Sequence, residues 1–155
     1  MKHVYIRLEN IQGIVYIFDN DRRYLLQLRE DIPNFSWEEV LSGFAPDARF
    51  WAHMKNLQKL RDWWEAPLRI TSGFRSPTHN DAIGGASKSQ HMVFATDIIP
   101  SVKSPHLYEQ LLPVALDLVA AKAEEIGFTG IGRYDIFIHL DMRDGKARWD
   151  ERTKV

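Results

Sequence analysis

Residues 3–8 alternate polar and apolar side chains, and Ile14-Val15-Tyr16-Ile17-Phe18 is an apolar run rich in β-branched and aromatic residues. Asn10 and Gly13 lie between them, so the pattern predicts a β-hairpin. Asp19-Asn20-Asp21 is a turn, and Tyr24 to Leu28 offers a third short strand. Ser36-Trp37-Glu38-Glu39 has the form of a capping box, opening a short helix that Gly43 ends. A longer helix starts at Pro46 and Asp47. Phe50, Met54, Leu57, Leu60 and Trp64 follow at helical spacing and make one apolar face, and Pro67 stops it.

Leu68 to Thr71 reads as a strand. Residues 72–90 are rich in Ser, Gly, Asn and Pro and show no period, which predicts a loop. A loop of that length inside a compact domain is uncommon without a function. Phe94 to Ile99 reads as a strand. Ser104 is placed to cap the next helix with Pro105 at its first position. Leu107, Leu111, Val114 and Leu118 line one apolar face, Pro113 is placed to kink it, and Gly127 ends it. Ile131–Tyr134 and Ile136–Met142 are short strands, and the fold closes near Trp149. Strands and helices mix without regular βαβ alternation, so the expected class is α+β, a small antiparallel sheet flanked by helices. No repeat or linker divides the chain, and residues 1–155 read as one domain. Residues 1–45 are an N-terminal extension of strands and a short helix, before a core at residues 46–150.

Composition removes several function classes. The chain has 155 residues, 45% hydrophobic, enough for one core and unlike a disordered segment. Lys and Arg total 20 against 21 Asp and Glu, a balance of −1 that argues against a nucleic-acid partner. There is no cysteine, so disulfides and thiolate metal sites are excluded, and any metal rests on imidazole and carboxylate. The first residues lack the apolar core of a signal peptide, and no run is long enough to span a membrane. The expectation is synthesis in the cytoplasm without export by a signal peptide.

Of six histidines, His3 reads as exposed in a terminal strand, His53 as packed or surface beside a helix face, and His106 as part of a first helical turn. His91, Asp97 and His139 stand apart. His91 ends the polar loop, Asp97 sits six residues later among Ala95, Thr96, Ile98 and Ile99, and His139 is central in Ile136-Phe137-Ile138-His139-Leu140. A buried imidazole needs partners for both nitrogens and a buried carboxylate needs a compensating charge. One divalent cation would meet both demands, and two histidines with one carboxylate leave a fourth position open, as in catalytic zinc sites. A metal-free Asp–His hydrogen bond would meet them too, and spacing alone does not choose.

Several blocks carry a family resemblance. They are Ile70-Thr71-Ser72-Gly73-Phe74-Arg75-Ser76-Pro77-Thr78-His79-Asn80, Gly84-Gly85-Ala86, Ser89-Gln90-His91, Ala95-Thr96-Asp97-Ile98, Gly130-Ile131-Gly132-Arg133-Tyr134, and Phe137-Ile138-His139-Leu140-Asp141-Met142-Arg143. In this order the chain resembles the zinc D-Ala-D-Ala carboxypeptidases and their phage and bacterial endopeptidase relatives, a superfamily that includes lysostaphin-type enzymes and hedgehog domains. The resemblance covers about residues 68–150. It implies one zinc ion held by His91, Asp97 and His139, and an Arg75 that faces the substrate, its fork suited to a peptide carbonyl or developing oxyanion. A loop-anchoring salt bridge is the other reading of Arg75. Ser89 and His79 are candidates for the substrate side. The implied substrate is a peptidoglycan stem peptide or cross-bridge containing D-amino acids, cleaved by metal-assisted hydrolysis.

This sequence departs from the family pattern twice. The interval from His91 to Asp97 lacks the usual glycine and is one residue short. Set in a bulge before the strand, the shortening leaves both ligands on the metal; set within the strand, it turns Asp97 away. Relatives often carry a proton-moving residue just before the last ligand, where Ile136 and Phe137 stand here. The nearest acids are Asp135 and Asp141, and Asp141 shares the strand face of His139, as general base or as hydrogen-bond partner of a zinc ligand. The missing signal peptide and the compact single domain suggest a phage or prophage lysin, released through a holin or carried in the virion, with a bacterial enzyme cutting cytoplasmic peptides as the other setting. The rivals are a zinc-binding but inactive hedgehog-like module, serving in binding or virion structure, and a metal-free domain.

Overall fold

The structure is a computed structural model that describes residues 7–11, 14–18, 32–35, 48–73, 82–86, 90–92 and 94–154. Strands β1 (Arg7–Ile11) and β2 (Ile14–Phe18) pair antiparallel, with Arg7 opposite Phe18 and Ile11 opposite Ile14. This is the hairpin the alternation predicts, although its first strand runs on through Asn10 to Ile11. The strand expected at 24–28 and the helix expected after Ser36 lie outside the described residues.

Helix α1 (Ala48–Trp64) buries Phe50, Met54, Leu57 and Leu60, with Trp64 packed at the edge. Burying side chains of this size stabilises by about 1.5–3 kcal/mol each before entropy is counted. Gln58 ties the helix to the preceding segment, since its Nε2 donates to Asn34 Oδ1 at 2.7 Å while its Oε1 accepts from Asn34 N at 3.2 Å. That pairing seats Ile32 and Phe35 in the core.

A second sheet follows, built from β3 (Leu68–Ser72), β4 (Ala95–Pro100), β5 (Gly130–Arg133), β6 (Ile138–Asp141) and β7 (Ala147–Asp150). Its order is β3-β4-β6-β5-β7, antiparallel except for β5 beside β7. With the two α-helices among the described residues, this is the expected α+β class. Successive side chains alternate faces. Thr96, Ile98, Ile131, Ile138 and Leu140 therefore meet the helices, and Asp97, His139, Asp141, Gly130, Gly132 and Trp149 share the other face.

Between β4 and β5, Pro105–Leu107 forms a 3-10 turn and α2 (Tyr108–Ile126) follows. Ser104 precedes that turn but its side chain makes no capping hydrogen bond. The helix is continuous through Pro113, and the Gly127 N–H bonds Ala123 O at its end. Its buried face is not the one made by Leu107, Leu111, Val114 and Leu118. Leu112, Ala115, Leu116, Val119, Ala120 and Ala123 are buried, whereas Val114 and Leu118 are 54% and 51% exposed. Both stripes have helical spacing. The buried one carries Ala115, Ala120 and Ala123 between its larger side chains. The outer stripe instead lines a shallow apolar groove with Trp64, Ala66 and Val102. No described helix is long and apolar enough to cross a membrane.

Candidate metal centre

Asp97 on β4 and His139 on β6 are direct cross-strand partners. His91 reaches them from a 3-10 turn, Gln90–Met92, that precedes β4. Because β4 begins only at Ala95, the short interval is taken up before the strand, and Asp97 keeps the face of His139. His91 Nε2 lies 3.2 Å from Asp97 Oδ1, and His139 Nδ1 lies 3.1 Å from the same oxygen. The two rings meet edge to face at 5.0 Å. All three residues are buried, and one ligand atom from each lies within 4.8 Å of the others.

The outer hydrogen bonds fix which nitrogens face inward. His91 Nδ1 is 2.7 Å from Gly73 O, and only an N–H can bond a carbonyl. His139 Nε2 is 2.7 Å from Asp141 Oδ2, so that nitrogen donates to a carboxylate. In the neutral rings, His91 Nε2 and His139 Nδ1 then present lone pairs toward an anionic carboxylate. Such a cluster calls for a cation. Ligand atoms arranged tetrahedrally about one zinc ion stand roughly 3.3 Å apart, close to the separations here. The donor set fits zinc.

Charge in the cluster is set by competition between burial and contacts. For Asp97, burial favours the neutral acid, but hydrogen bonds from His139 and His91 in their charged forms outweigh it and hold the pKa at about 2. For His139, burial opposes the charged form, while Asp141 and Asp97 overcome it and raise the pKa. Asp141 is fully buried, and burial again opposes its charge. Donors from His139 and Arg143 nevertheless keep it far below the usual carboxylate range.

Asp141 does sit on the face of His139, but its oxygens are already engaged. Arg143 donates to them from N at 3.0 Å, Nε at 2.9 Å and Nη2 at 2.6 Å. Gly130, directly across β5–β6, leaves the space the carboxylate occupies, because a β-carbon there would collide with it. Asp135 is elsewhere, in the turn between β5 and β6, where it accepts from Thr153 N and Oγ1 at 2.9 and 2.6 Å. Arg75, His79 and Ser89 lie outside the described residues.

Three neighbours were not assigned to the site from sequence. Arg143 and Trp149 flank the Asp141 side of the cluster, the guanidinium 4.9 Å from the indole and the indole 5.1 Å from the His139 ring. Arg143 closes the last block of the resemblance without a role assigned to it, and the place of Trp149 depends on strand pairing. The third, His53, is fully buried on α1 beneath β4, between Phe94 and Phe128. Its Nε2 is 2.9 Å from Thr96 Oγ1, and Nδ1 has no hydrogen-bond partner among the described residues.

Two imidazoles and a carboxylate around one point, with an outer partner on each ring, form a group that could hold a metal ion. A family model for Peptidase M15 matches residues 27–141, and the chain belongs to that family, whose members are zinc peptidases. The matched stretch begins at residue 27, inside the part read as an extension. Among curated proteins, none matches the chain.

Proposed function

We propose that the chain is a zinc-dependent hydrolase of peptide bonds in bacterial peptidoglycan. It acts on stem peptides or cross-bridges containing D-amino acids, as a D-Ala-D-Ala carboxypeptidase or a murein endopeptidase. The observation that carries this reading is the convergence of His91 Nε2, Asp97 and His139 Nδ1, with both opposite ring nitrogens occupied as donors. These residues would hold one zinc ion, leaving a coordination position for substrate chemistry.

Bound there, zinc supplies Lewis acidity, polarising a carbonyl and lowering the pKa of water. The residues of the chain orient and bind. Asp97 stays anionic at neutral pH. Asp141 holds the proton at His139 Nε2, a role its buried and fully engaged oxygens favour over that of general base. Arg75 is assigned to the substrate carbonyl and its developing oxyanion on the strength of the family resemblance, and Ser89 and His79 are proposed for the substrate side.

The engagement of Asp141 favours a second reading as well, a zinc-binding module without turnover. Mass spectrometry of purified muropeptides after incubation, with and without a chelator, tests both. Zinc-dependent cleavage that disappears in His139→Ala supports the peptidase. Stoichiometric zinc with intact muropeptides would establish the module.

A further inference from the structure

We infer that Arg143, held between Asp141 and the Trp149 ring, is a positioning residue that sets the affinity of this centre for its metal. The inference rests on the metal reading of the His91–Asp97–His139 cluster and adds a determinant to it.

A ligand histidine is useful only if its ring is held with the correct nitrogen inward. For His139 that task falls to Asp141, 2.7 Å from Nε2. A carboxylate with a single partner can rotate about its bonds, and its plane then fixes nothing. Arg143 removes that freedom. Its backbone N and Nε donate to Oδ1 at 3.0 and 2.9 Å, and its Nη2 donates to Oδ2 at 2.6 Å, the oxygen that also accepts from His139. Both oxygens are thereby pinned in one plane by a rigid fork, a geometry that an ammonium cannot copy.

The fork is itself braced. Arg143 lies over the Trp149 ring at 4.9 Å. Trp149 is anchored by its Nε1, which donates to Tyr134 Oη at 2.9 Å, and it covers Gly132, where a β-carbon would collide with the indole. The same indole touches the His139 ring. A continuous path therefore runs from the Tyr134 hydroxyl through Trp149 and Arg143 to Asp141, His139 and Asp97. Arg143 and Trp149 lie beyond residues 27–141, the stretch matched by the family model. The side chain of Arg143 is 28% exposed, so replacing it opens no large cavity.

The test measures Zn2+ affinity by competition with a chromophoric chelator, and reads ligand geometry from the absorption bands of the Co2+ form. Arg143→Gln is expected to weaken Zn2+ binding by about tenfold or more and to change the Co2+ bands, while the zinc-free protein still melts cooperatively. Arg143→Lys keeps the charge without the fork and is expected to fall between this variant and the parent. Affinity within about threefold of the parent, with unchanged Co2+ bands, overturns the inference. Should Arg143→Gln fail to fold, parent-like affinity in Arg143→Lys overturns it equally, and weakened affinity there supports it. A parent chain that binds no zinc defeats the metal reading itself, a result distinct from either.

Discussion

Gly130 lies directly across the β5–β6 ladder from Asp141, and the carboxylate of Asp141 fills the space where a side chain at 130 would begin. The glycine is a steric condition for the buried acid that orients His139. Gly130→Ala should therefore destabilise the zinc-free protein by about 1–3 kcal/mol, the usual cost of overpacking, and weaken zinc binding as well. Denaturant unfolding and a zinc titration check the two effects. Parent-like values in both would show that the acid can move aside freely.

Removing a ligand should act on metal and activity together. His91→Ala, Asp97→Ala and His139→Ala are each expected to lose stoichiometric zinc and muropeptide cleavage. Elemental analysis of the folded variants, beside the cleavage assay, is the check. A folded His139→Ala that keeps zinc-dependent turnover would refute the ligand set.

Asp141→Asn separates two roles for one residue. If Asp141 orients His139, the amide should lower zinc affinity by about 10–100-fold, and saturating zinc should restore much of the turnover. A general base would show the reverse, with parent-like affinity and turnover that no zinc concentration restores.

Asp97 and His139 stood out in the sequence because each is a polar group in an apolar strand, Asp97 before Ile98 and Ile99 and His139 between Ile138 and Leu140, whereas His91 ends a polar loop. Strands β1 to β6 and α1 were legible for the same reason of pattern, whereas β7 was not among the predicted strands. The inner face of α2 was not legible either. Leu107, Leu111, Val114 and Leu118 repeat as well as the buried Leu112, Leu116 and Val119 do, and period alone does not say which stripe meets the sheet. Trp149 was hidden for another reason. Trp149 comes beside His139 through the parallel pairing of β7 with β5, a long-range fact with no local signature.

His53 gives a pH signature. Burial is the main force on it, with Asp141 opposing and His139 and His91 reinforcing, and its pKa falls from 6.5 to about 3. The unfolded chain takes up a proton below pH 6.5 that folded His53 refuses. Stability from this group is thus complete above 6.5 and declines as pH falls toward 3, with a limiting slope of about 1.4 kcal/mol per pH unit. Asp97, held at about 2, acts only in a lower window, below its unfolded value of 3.8. Zinc-free His53→Leu should show a shallower decline between pH 6.5 and 4 than the parent. At pH 7 it should be less stable, because Thr96 Oγ1 loses its buried partner at a cost of about 1–3 kcal/mol. An identical pH slope in the two proteins would contradict the assignment.

The central claim is that His91, Asp97 and His139 hold one zinc ion, His91 through Nε2 and His139 through Nδ1. Diffraction from zinc-loaded crystals, with anomalous data collected on both sides of the zinc edge, tests it most directly. The account predicts a single peak bounded by those two nitrogens and the Asp97 carboxylate. A peak on other residues, or none at stoichiometric zinc, would contradict it.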